Sequence, residues 1–379
     1  MRNFFFLRYN NSMKNLNIQD DTGKLFYIGG VVRDELLNRQ SFDVDIVFEG
    51  DAIEHCSSYG EVIRSNPDFG TVRVNVDGVE VDFASTRSEK YPQKGHLPVV
   101  DKIGCSLKED VLRRDFTVNA LAKSVKTGEI VDYVGGLVDI ENKILRVLHD
   151  ESFIDDPTRI IRALKFSVRF GFALEEGTRQ LQENYLAHIN YDMCYKRIKK
   201  ELIETFNLNS QEAYERFFNE GIYKLVQSED VKYVDKNIPQ IAELLGLEQS
   251  SNLWLIYVGI LDLSKLELTK VEMKILNDFV ALRDLTLDTD FDIYKAFNLI
   301  LPETLALYAI HINQEKVERF VNVLRDIKIE INGDDLVKLG YQPSPKFGEI
   351  FDEVLRVKLQ NPTMTKEDEI VFVKNLLTL

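Results

Sequence analysis

The sequence predicts an α+β protein with its strands at the front and helices behind. In the first third, apolar residues alternate with polar ones in short runs bounded by turn residues. From about residue 150 to the end, apolar residues recur at helical spacing. The chain has 379 residues, and because a domain usually holds roughly 100–200 residues, we expect two or three modules.

The best strand signals are KLFYIGG, DVDIVFEG and the pair TVRVNV and VEVDFA. The last two are joined by Asp77-Gly78, which is typical of a two-residue hairpin turn. This turn places Arg73 directly opposite Asp82. It also places six apolar side chains on one face, namely Val72, Val74, Val76, Val79, Val81 and Phe83.

Charge is distributed unevenly along the chain. The 47 basic and 62 acidic residues give a net charge of −15, which excludes a protein that coats nucleic acid indiscriminately. Residues 1–156 sum to −8, residues 157–201 to +4 and residues 202–379 to −11. We therefore expect any polyanion to meet the basic segment that follows the strand-rich module.

Cysteine content and hydropathy bear on the compartment. Three cysteines at widely spaced positions (56, 105 and 194) do not form the pattern of a zinc site or a disulfide framework. The first residues lack the apolar run of a signal peptide, and the longest later run is half a membrane span. The sequence predicts a soluble cytoplasmic protein with no membrane contact, and it predicts no protein partner.

Gly29 and Gly30 follow a predicted strand and precede a predicted helix that contains Arg33. Two glycines let a phosphate approach bare backbone amides at a helix N-terminus. The alternative is a tight turn from strand to helix that binds no ligand.

Asp43 and Asp45 are two residues apart on a predicted strand, so both carboxylates project from one face. Two such carboxylates suit Mg²⁺, which prefers oxygen ligands from carboxylates and phosphates. Asp82 could supply a third carboxylate from the hairpin. The alternatives are a solvated strand face for the first two and a cross-strand ion pair with Arg73 for Asp82.

Two further segments carry groups that suit a nucleotide. The segment RRDFTVNA holds Arg114, Asp115 and Asn119, which can bind phosphate or ribose hydroxyls, although a capped helix start would also explain it. The predicted helix within IDDPTRIIRALKFSVRF has an apolar side and a basic side that includes Arg159 and Arg162. Asp156 precedes proline there and would also serve as an N-cap.

The order of these motifs resembles the class II tRNA nucleotidyltransferases, which are the CCA-adding enzymes and their poly(A) polymerase relatives in the DNA polymerase β superfamily. The motifs are GG-x-V-R-D, D-x-D, R-R-D-F-T-x-N-A and D-D-x-x-R, and the resemblance covers most of the chain. It implies a polymerase β-like nucleotidyltransferase head with a mixed sheet at 1–147. Helical neck, body and tail regions would follow at 148–206, 207–326 and 327–379.

The resemblance also implies roles for individual residues. Asp43 and Asp45 would hold two Mg²⁺ ions. Asp82 remains a candidate for a third catalytic carboxylate because of its place on the hairpin, not because of the resemblance. Gly29, Gly30 and Arg33 would face the triphosphate. Phosphate and sugar of the nucleotide would be contacted by Arg114, Asp115 and Asn119. Asp156 and Arg159 would read the Watson–Crick edge of CTP or ATP, with Arg162 in support. The family's usual E-D-x-x-R is Asp155-Asp156-x-x-Arg159 here, which shortens the first side chain.

The activity that follows is Mg²⁺-dependent addition of CCA from CTP and ATP to the 3′ end of tRNA, with release of pyrophosphate. Addition of A alone is the second hypothesis, because the D-P-T-R and G-H-L-P-V-V segments are similar to those of the A-adding enzymes. Addition of CC alone and poly(A) synthesis are further alternatives. An alternative hypothesis from a different functional class is an RNA-binding protein that has lost its catalytic activity. Such a protein would be expected to lose the D-x-D motif first, and both aspartates are present.

Overall fold

The structure is a computed structural model that describes residues 18–41, 44–189 and 192–376. The chain divides into two compact units, one formed by Met1–Thr205 with Asn219–Ser228 and one by Phe206–Phe218 with Glu229–Leu379. The strands lie in the first unit, and the described part of the second unit is built from helices. The predicted α+β class is confirmed, while the finer division into head, neck, body and tail stays a prediction.

The first unit contains a seven-stranded mixed sheet in the order β3-β4-β5-β2-β1-β8-β9. Its strands are β1 (Leu25–Ile28), β2 (Asp45–Phe48), β3 (Glu61–Asn66), β4 (Thr71–Val76), β5 (Val79–Ser85), β8 (Ala122–Ser124) and β9 (Ile130–Val131). β2 and β5 run parallel, and the other neighbours run antiparallel. This arrangement puts β2 in the middle of the sheet.

The hairpin of β4 and β5 forms as predicted. Asp77 and Gly78 both have positive φ, at 51° and 86°, which is the backbone of the two-residue turn that fits the twist of the strands. The alternating apolar residues face one core, in which Val74 and Val81 are completely buried. The polar residues of the hairpin are left on the opposite face of the sheet.

Two small sheets complete the strands. β6 (Arg87–Lys90) and β7 (Val99–Ile103) form an antiparallel hairpin, and β10 (Ile144–Leu145) pairs in parallel with β11 (Ala173–Leu174). The expectation that strands disappear after about residue 150 is therefore wrong at β11. A two-residue strand carries too little periodicity to be seen in the sequence.

The first unit also contains helices, several of which follow the last strand of the large sheet. They are α1 (Gly30–Leu36), α2 (Ala52–Cys56), α3 (Leu107–Leu112), α4 (Gly136–Glu141), α5 (Ser152–Asp155), α6 (Thr158–Phe170), α7 (Glu176–Ala187) and α8 (Tyr195–Phe206). α6 buries its predicted apolar side, with Ile160 and Ile161 fully buried. α5 ends before Asp156 and α6 begins after Pro157, close to the predicted start of the helix.

The described part of the second unit consists of α-helices that range from 6 to 15 residues. They are α9 (Gln211–Asn219), α10 (Ile238–Leu244), α11 (Leu253–Val258), α12 (Lys270–Arg283), α13 (Asp290–Phe297), α14 (Pro302–His311), α15 (Gln314–Arg319), α16 (Gly333–Lys338), α17 (Lys346–Gln360) and α18 (Lys366–Leu376). The large side chains Trp254, Tyr257 and Tyr308 are buried there. Over the described residues, none of the helices has the length and apolar character that crossing a bilayer requires.

Candidate active site

Two of the predicted carboxylates lie side by side in the middle of the large sheet. Asp45 opens β2 and is exposed, and its Cα partner on the parallel strand β5 is Asp82. Asp43 lies outside the described residues. Within the described ranges no group of three or more His, Cys, Asp or Glu side chains is arranged to hold a metal ion. The structure therefore brings together Asp45 and Asp82, which we call the carboxylate edge.

Asp82 is also engaged by Arg73, as the hairpin register predicts. The Arg73 Nε and Nη2 atoms donate to the two carboxylate oxygens of Asp82 at 2.7 and 2.5 Å. The hydrogen bond to Asp82 raises the pKa of the Arg73 guanidinium, which stays protonated. The predicted ion pair between Asp82 and Arg73 is confirmed. Because Asp82 also lies beside Asp45, its role as a metal ligand stays a prediction.

The two glycines form the turn between β1 and α1, and an arginine lies over it. Gly29 has φ of 73°, and its amide donates to the Leu121 carbonyl at 3.1 Å. A Cβ on Gly29 would lie 3.0 Å from the Nη1 atom of Arg114, so a side chain at this position would require the guanidinium to move slightly. The bare backbone and the arginine together make a cradle for an anion.

Arg114 itself is only partly satisfied. Its Nη2 atom donates to Asp110 at 3.0 Å, but its buried Nε atom has no hydrogen-bond partner among the described residues. A buried N–H donor without a partner is costly unless a ligand completes it. A phosphate oxygen at the glycine turn would supply an acceptor of the right charge.

Arg33 lies deeper than the sequence suggests. It is 4% exposed, donates to the carboxylate of Asp34 and to the Oδ1 atom of Asn119, and stacks 4.4 Å from the ring centre of Phe170. Burial lowers its pKa, and the neighbouring Asp34 opposes that change. In this structure the Arg33 side chain is held inside the first unit by Asp34 and Asn119 rather than facing open solvent.

Asp115 links two parts of the first unit. Its Oδ1 atom accepts a hydrogen bond from Asn119 at 3.0 Å, and its Oδ2 atom accepts two from Arg162 at 2.8 and 2.6 Å. Burial alone would raise the pKa of Asp115, but Arg162 and Asn119 hold it at about 2. The carboxylate is therefore charged at neutral pH and fixes the start of the Thr117–Asn119 turn against α6.

The chain of contacts continues into α8 through a residue that the sequence did not single out. Glu201 accepts from Arg162 at 3.2 Å and from Lys165 at 2.6 Å, and its side chain is 9% exposed. Lys165 also reaches Glu204 at 2.6 Å. We call this set the buried ionic chain; its members are Arg33, Asn119, Asp115, Arg162, Glu201 and Lys165.

The buried ionic chain changes the meaning of the basic side of α6. Lys165 and Phe166 are buried at 6% and 7% exposure, and Phe166 packs edge-on against Phe116. The expected basic face is thus largely neutralised by carboxylates of the same unit. Glu201 could have been suspected from the helical spacing of KRIKKELIETF, which places it between apolar residues of α8.

The proposed base-reading pair is buried beside the loop of the β6–β7 hairpin. Asp156 accepts from Thr158 and from Arg197, the latter at 2.6 Å. Arg159 donates to Ser152 at 2.6 Å and to the Tyr91 hydroxyl at 3.3 Å. The predicted capping role of Asp156 is also present, because its Oδ1 atom accepts from the Thr158 amide at 3.2 Å.

The first unit thus combines a mixed sheet whose central strand bears a carboxylate with a glycine turn that lies next to an arginine. In a comparison with known families, residues 25–146 match the poly A polymerase head domain. This match confirms the predicted resemblance to the tRNA nucleotidyltransferases and their poly(A) polymerase relatives.

Relatives along the whole chain carry two activity names. An A-adding tRNA nucleotidyltransferase of Geobacter sulfurreducens is 31% identical over 391 residues, which cover 91% of this chain and 44% of that protein. A CCA-adding enzyme of Lactobacillus helveticus is 27% identical over 395 residues, covering 95% of both. The chain thus spans less than half the length of the Geobacter relative.

A solved structure shows the same fold. The apo form II of a CCA-adding enzyme superposes with a TM-score of 0.75 at 24% identity, covering 100% of this chain and 95% of that one. The architecture of a mixed sheet followed by helices is therefore that of this fold family.

Proposed function

We propose that the chain is a tRNA nucleotidyltransferase that transfers nucleotides from CTP and ATP to the 3′ hydroxyl of tRNA and releases pyrophosphate. The observation that carries this proposal is the placement of Asp45 beside Asp82, next to the Gly29–Gly30 turn under Arg114. The family match and the names of the relatives support the same reaction class.

The carboxylate edge fits a divalent metal ion. Asp45 and Asp82 offer only oxygen donors on neighbouring strands, which is the ligand chemistry of Mg²⁺, and Asp43 is proposed as a further ligand. When bound, Mg²⁺ would lower the pKa of the attacking hydroxyl and neutralise charge on the leaving group.

The glycine turn and Arg114 would hold the triphosphate. The unpartnered Nε atom of Arg114, which lies next to Gly29, provides a donor that needs an anion. Asp115 accepts hydrogen bonds from Arg162, and Asn119 accepts one from Arg33. We propose that these two residues contact the phosphate and sugar of the nucleotide at the rim of this cradle. The buried ionic chain keeps that rim in place relative to α6.

Asp156 and Arg159 would read the base, as the resemblance implies. Both now bond to groups of the protein, with Arg197 on one side and Tyr91 on the other. We propose that a nucleobase takes the place of such contacts, so that each lost hydrogen bond is replaced by one to the Watson–Crick edge. This exchange would keep buried polar groups satisfied throughout the reaction.

A narrower product, a single A, has support of its own. The relative with 31% identity is A-adding, whereas the CCA-adding relative is 27% identical. The Asp156-Pro157-Thr158-Arg159 sequence points the same way. The intact loop between Thr86 and Val100, which contains the β6–β7 hairpin, argues against addition of CC alone.

Three tRNA transcripts separate these activities. They end at the discriminator base, at C and at CC, and each is incubated with Mg²⁺ and labelled CTP or ATP, separately and together. Extension of all three to CCA supports full addition, and extension of only the CC transcript, by ATP, supports A addition. Long A tails would identify a poly(A) polymerase, and no extension of any transcript would overturn the proposed reaction.

A further inference from the structure

A row of four charged residues crosses four neighbouring strands of the large sheet. In the register of the sheet, Arg64 on β3 pairs with Arg73 on β4, Arg73 pairs with Asp82 on β5, and Asp82 pairs with Asp45 on β2. Side chains of directly opposite residues project from the same face. The carboxylate edge is therefore continued by two arginines toward the free edge of the sheet at β3.

The two arginines open onto a cleft in this face. Its volume is about 290 Å³, and it is lined mainly by Arg64, Ser65, Asn66, Thr71, Arg73 and Asp82. Its lining holds two guanidiniums and one carboxylate, and Glu80 also pairs with Arg73. The positive charge that has no ion pair among the described residues is therefore that of Arg64.

The cleft offers the donors that a phosphate group requires. Arg64 is exposed and forms no ion pair with any residue that the structure describes. The Arg73 side chain is 31% exposed, and its three guanidinium nitrogens already bond to Asp82 and Glu80, so a phosphate would share or replace these bonds. Arginine binds phosphate oxygens in pairs, and Asn66 and Thr71 add uncharged polar groups beside it.

Strand order indicates which phosphate the cleft would meet. The glycine turn follows β1, which flanks β2 on one side, whereas the arginines lie on the other side, beyond β5. In nucleotidyl transfer the attacking and leaving oxygens lie roughly in line on opposite sides of the reacting phosphorus. If the triphosphate lies at the glycine turn, the acceptor lies toward β4 and β3.

We propose that Arg64 and Arg73 bind a phosphodiester of the tRNA acceptor strand close to its reacting 3′ end. This inference rests on the proposed function. It assigns binding of the tRNA to two residues that belong to none of the sequence motifs described above. Three strand spacings place the Arg64 backbone about 14 Å from that of Asp45. The contact therefore falls within the last few nucleotides of the acceptor strand.

The test measures binding of a labelled tRNA transcript ending in CC by fluorescence anisotropy, without CTP or ATP, over a series of KCl concentrations. Arg64→Ala is compared with Arg64→Lys, which keeps the charge, and with Lys126→Ala. Lys126 lies between β8 and β9 at the opposite end of the same sheet and controls for the loss of one positive charge.

We expect Arg64→Ala to weaken tRNA binding about tenfold at low salt and to reduce the slope of log K against log[KCl] by about 0.7, the value for one phosphate contact with a single strand. Arg64→Lys should retain most of the affinity, and Lys126→Ala should match the wild type. Unchanged tRNA binding in Arg64→Ala, or an equal loss in Lys126→Ala, would overturn the proposal.

Binding of ATP alone provides the second arm, because the cleft could instead hold a phosphate of the nucleotide. Wild-type and Arg64→Ala proteins should bind ATP equally well. A loss of ATP affinity as large as the loss of tRNA affinity would overturn the RNA assignment. These readouts do not require catalysis, so they separate failure of this site from failure of the proposed reaction.

Discussion

The carboxylate edge and the buried ionic chain both contain acids and arginines, yet they lie in opposite environments. The Asp82 side chain is 41% exposed, whereas those of Asp115 and Glu201 are 10% and 9% exposed. Their arginine partners are alike, with Arg73 at 31% and Arg162 at 29%, so the difference lies in the carboxylates. Exposed pairs contribute little to stability, but removing one partner from a buried pair leaves a charge without compensation. The edge can therefore exchange its partners for ligands, while the buried chain holds the surrounding helices in place.

The largest effect is expected at the carboxylate edge. Asp45→Ala should reduce nucleotide addition by at least about 10³-fold, because a group that acts on developing charge would be lost. Since Asp45 is exposed, the thermal unfolding temperature should stay near the wild-type value. Asp68→Ala, an exposed aspartate between β3 and β4, is the matched control. Substantial activity in Asp45→Ala would remove the metal role from this edge.

The next effect tests the buried ionic chain. Glu201→Gln should lower the free energy of unfolding of the first unit by about 3 kcal/mol, because Arg162 and Lys165 would both lose a buried charged partner. Glu204→Gln is the control, since Glu204 contacts the same Lys165 but is 43% exposed, and its loss should cost about 1 kcal/mol or less. Urea unfolding measures both, and equal losses would show that burial does not separate the two carboxylates.

A smaller effect is expected on the stability of the folded chain at acid pH. The pKa of Asp115 is about 2 in the folded chain, below its ordinary value of 3.8, so the stabilisation is fully present above pH 4 and is lost as pH falls toward 2. The shift corresponds to about 2 kcal/mol. The urea midpoint of the wild type should fall more steeply between pH 5 and pH 2.5 than that of Asp115→Asn. Parallel curves would contradict the assigned pKa.

The smallest effect is expected from the exposed ion pair. Arg73→Ala removes the bonds to Asp82 and Glu80, but all three side chains are at least 31% exposed. Its unfolding free energy should change by less than about 1 kcal/mol. A loss as large as that of Glu201→Gln would mean that the carboxylate edge is a structural element like the buried chain.

Local signals predicted much of the head. The Asp77-Gly78 turn was enough to fix the hairpin, its buried face and the pairing of Arg73 with Asp82, because all of these depend on neighbours within a few residues. The glycine turn was equally readable. The partners of Arg162 and Lys165 were not, since Glu201 lies 39 and 36 residues away in the chain.

Tertiary structure also decided which polar faces stay exposed. Periodicity placed Arg159, Arg162 and Lys165 on the side of α6 opposite its apolar residues, but it could not show that α8 and the head would cover much of that side. Likewise, the alignment of Arg64 with Asp45 appears only once four strands adopt their order, which includes one parallel pair.

By itself the sequence determined the α+β class, the glycine turn, the hairpin and the set of residues that resemble a nucleotidyltransferase. These follow from turn chemistry, from the two periodicities of strands and helices, and from motif order. Only the tertiary structure decided which of those charges are buried and paired and which face solvent. Pairing and burial depend on contacts between residues that are distant in the chain, and their energies arise from desolvation, which no local pattern encodes.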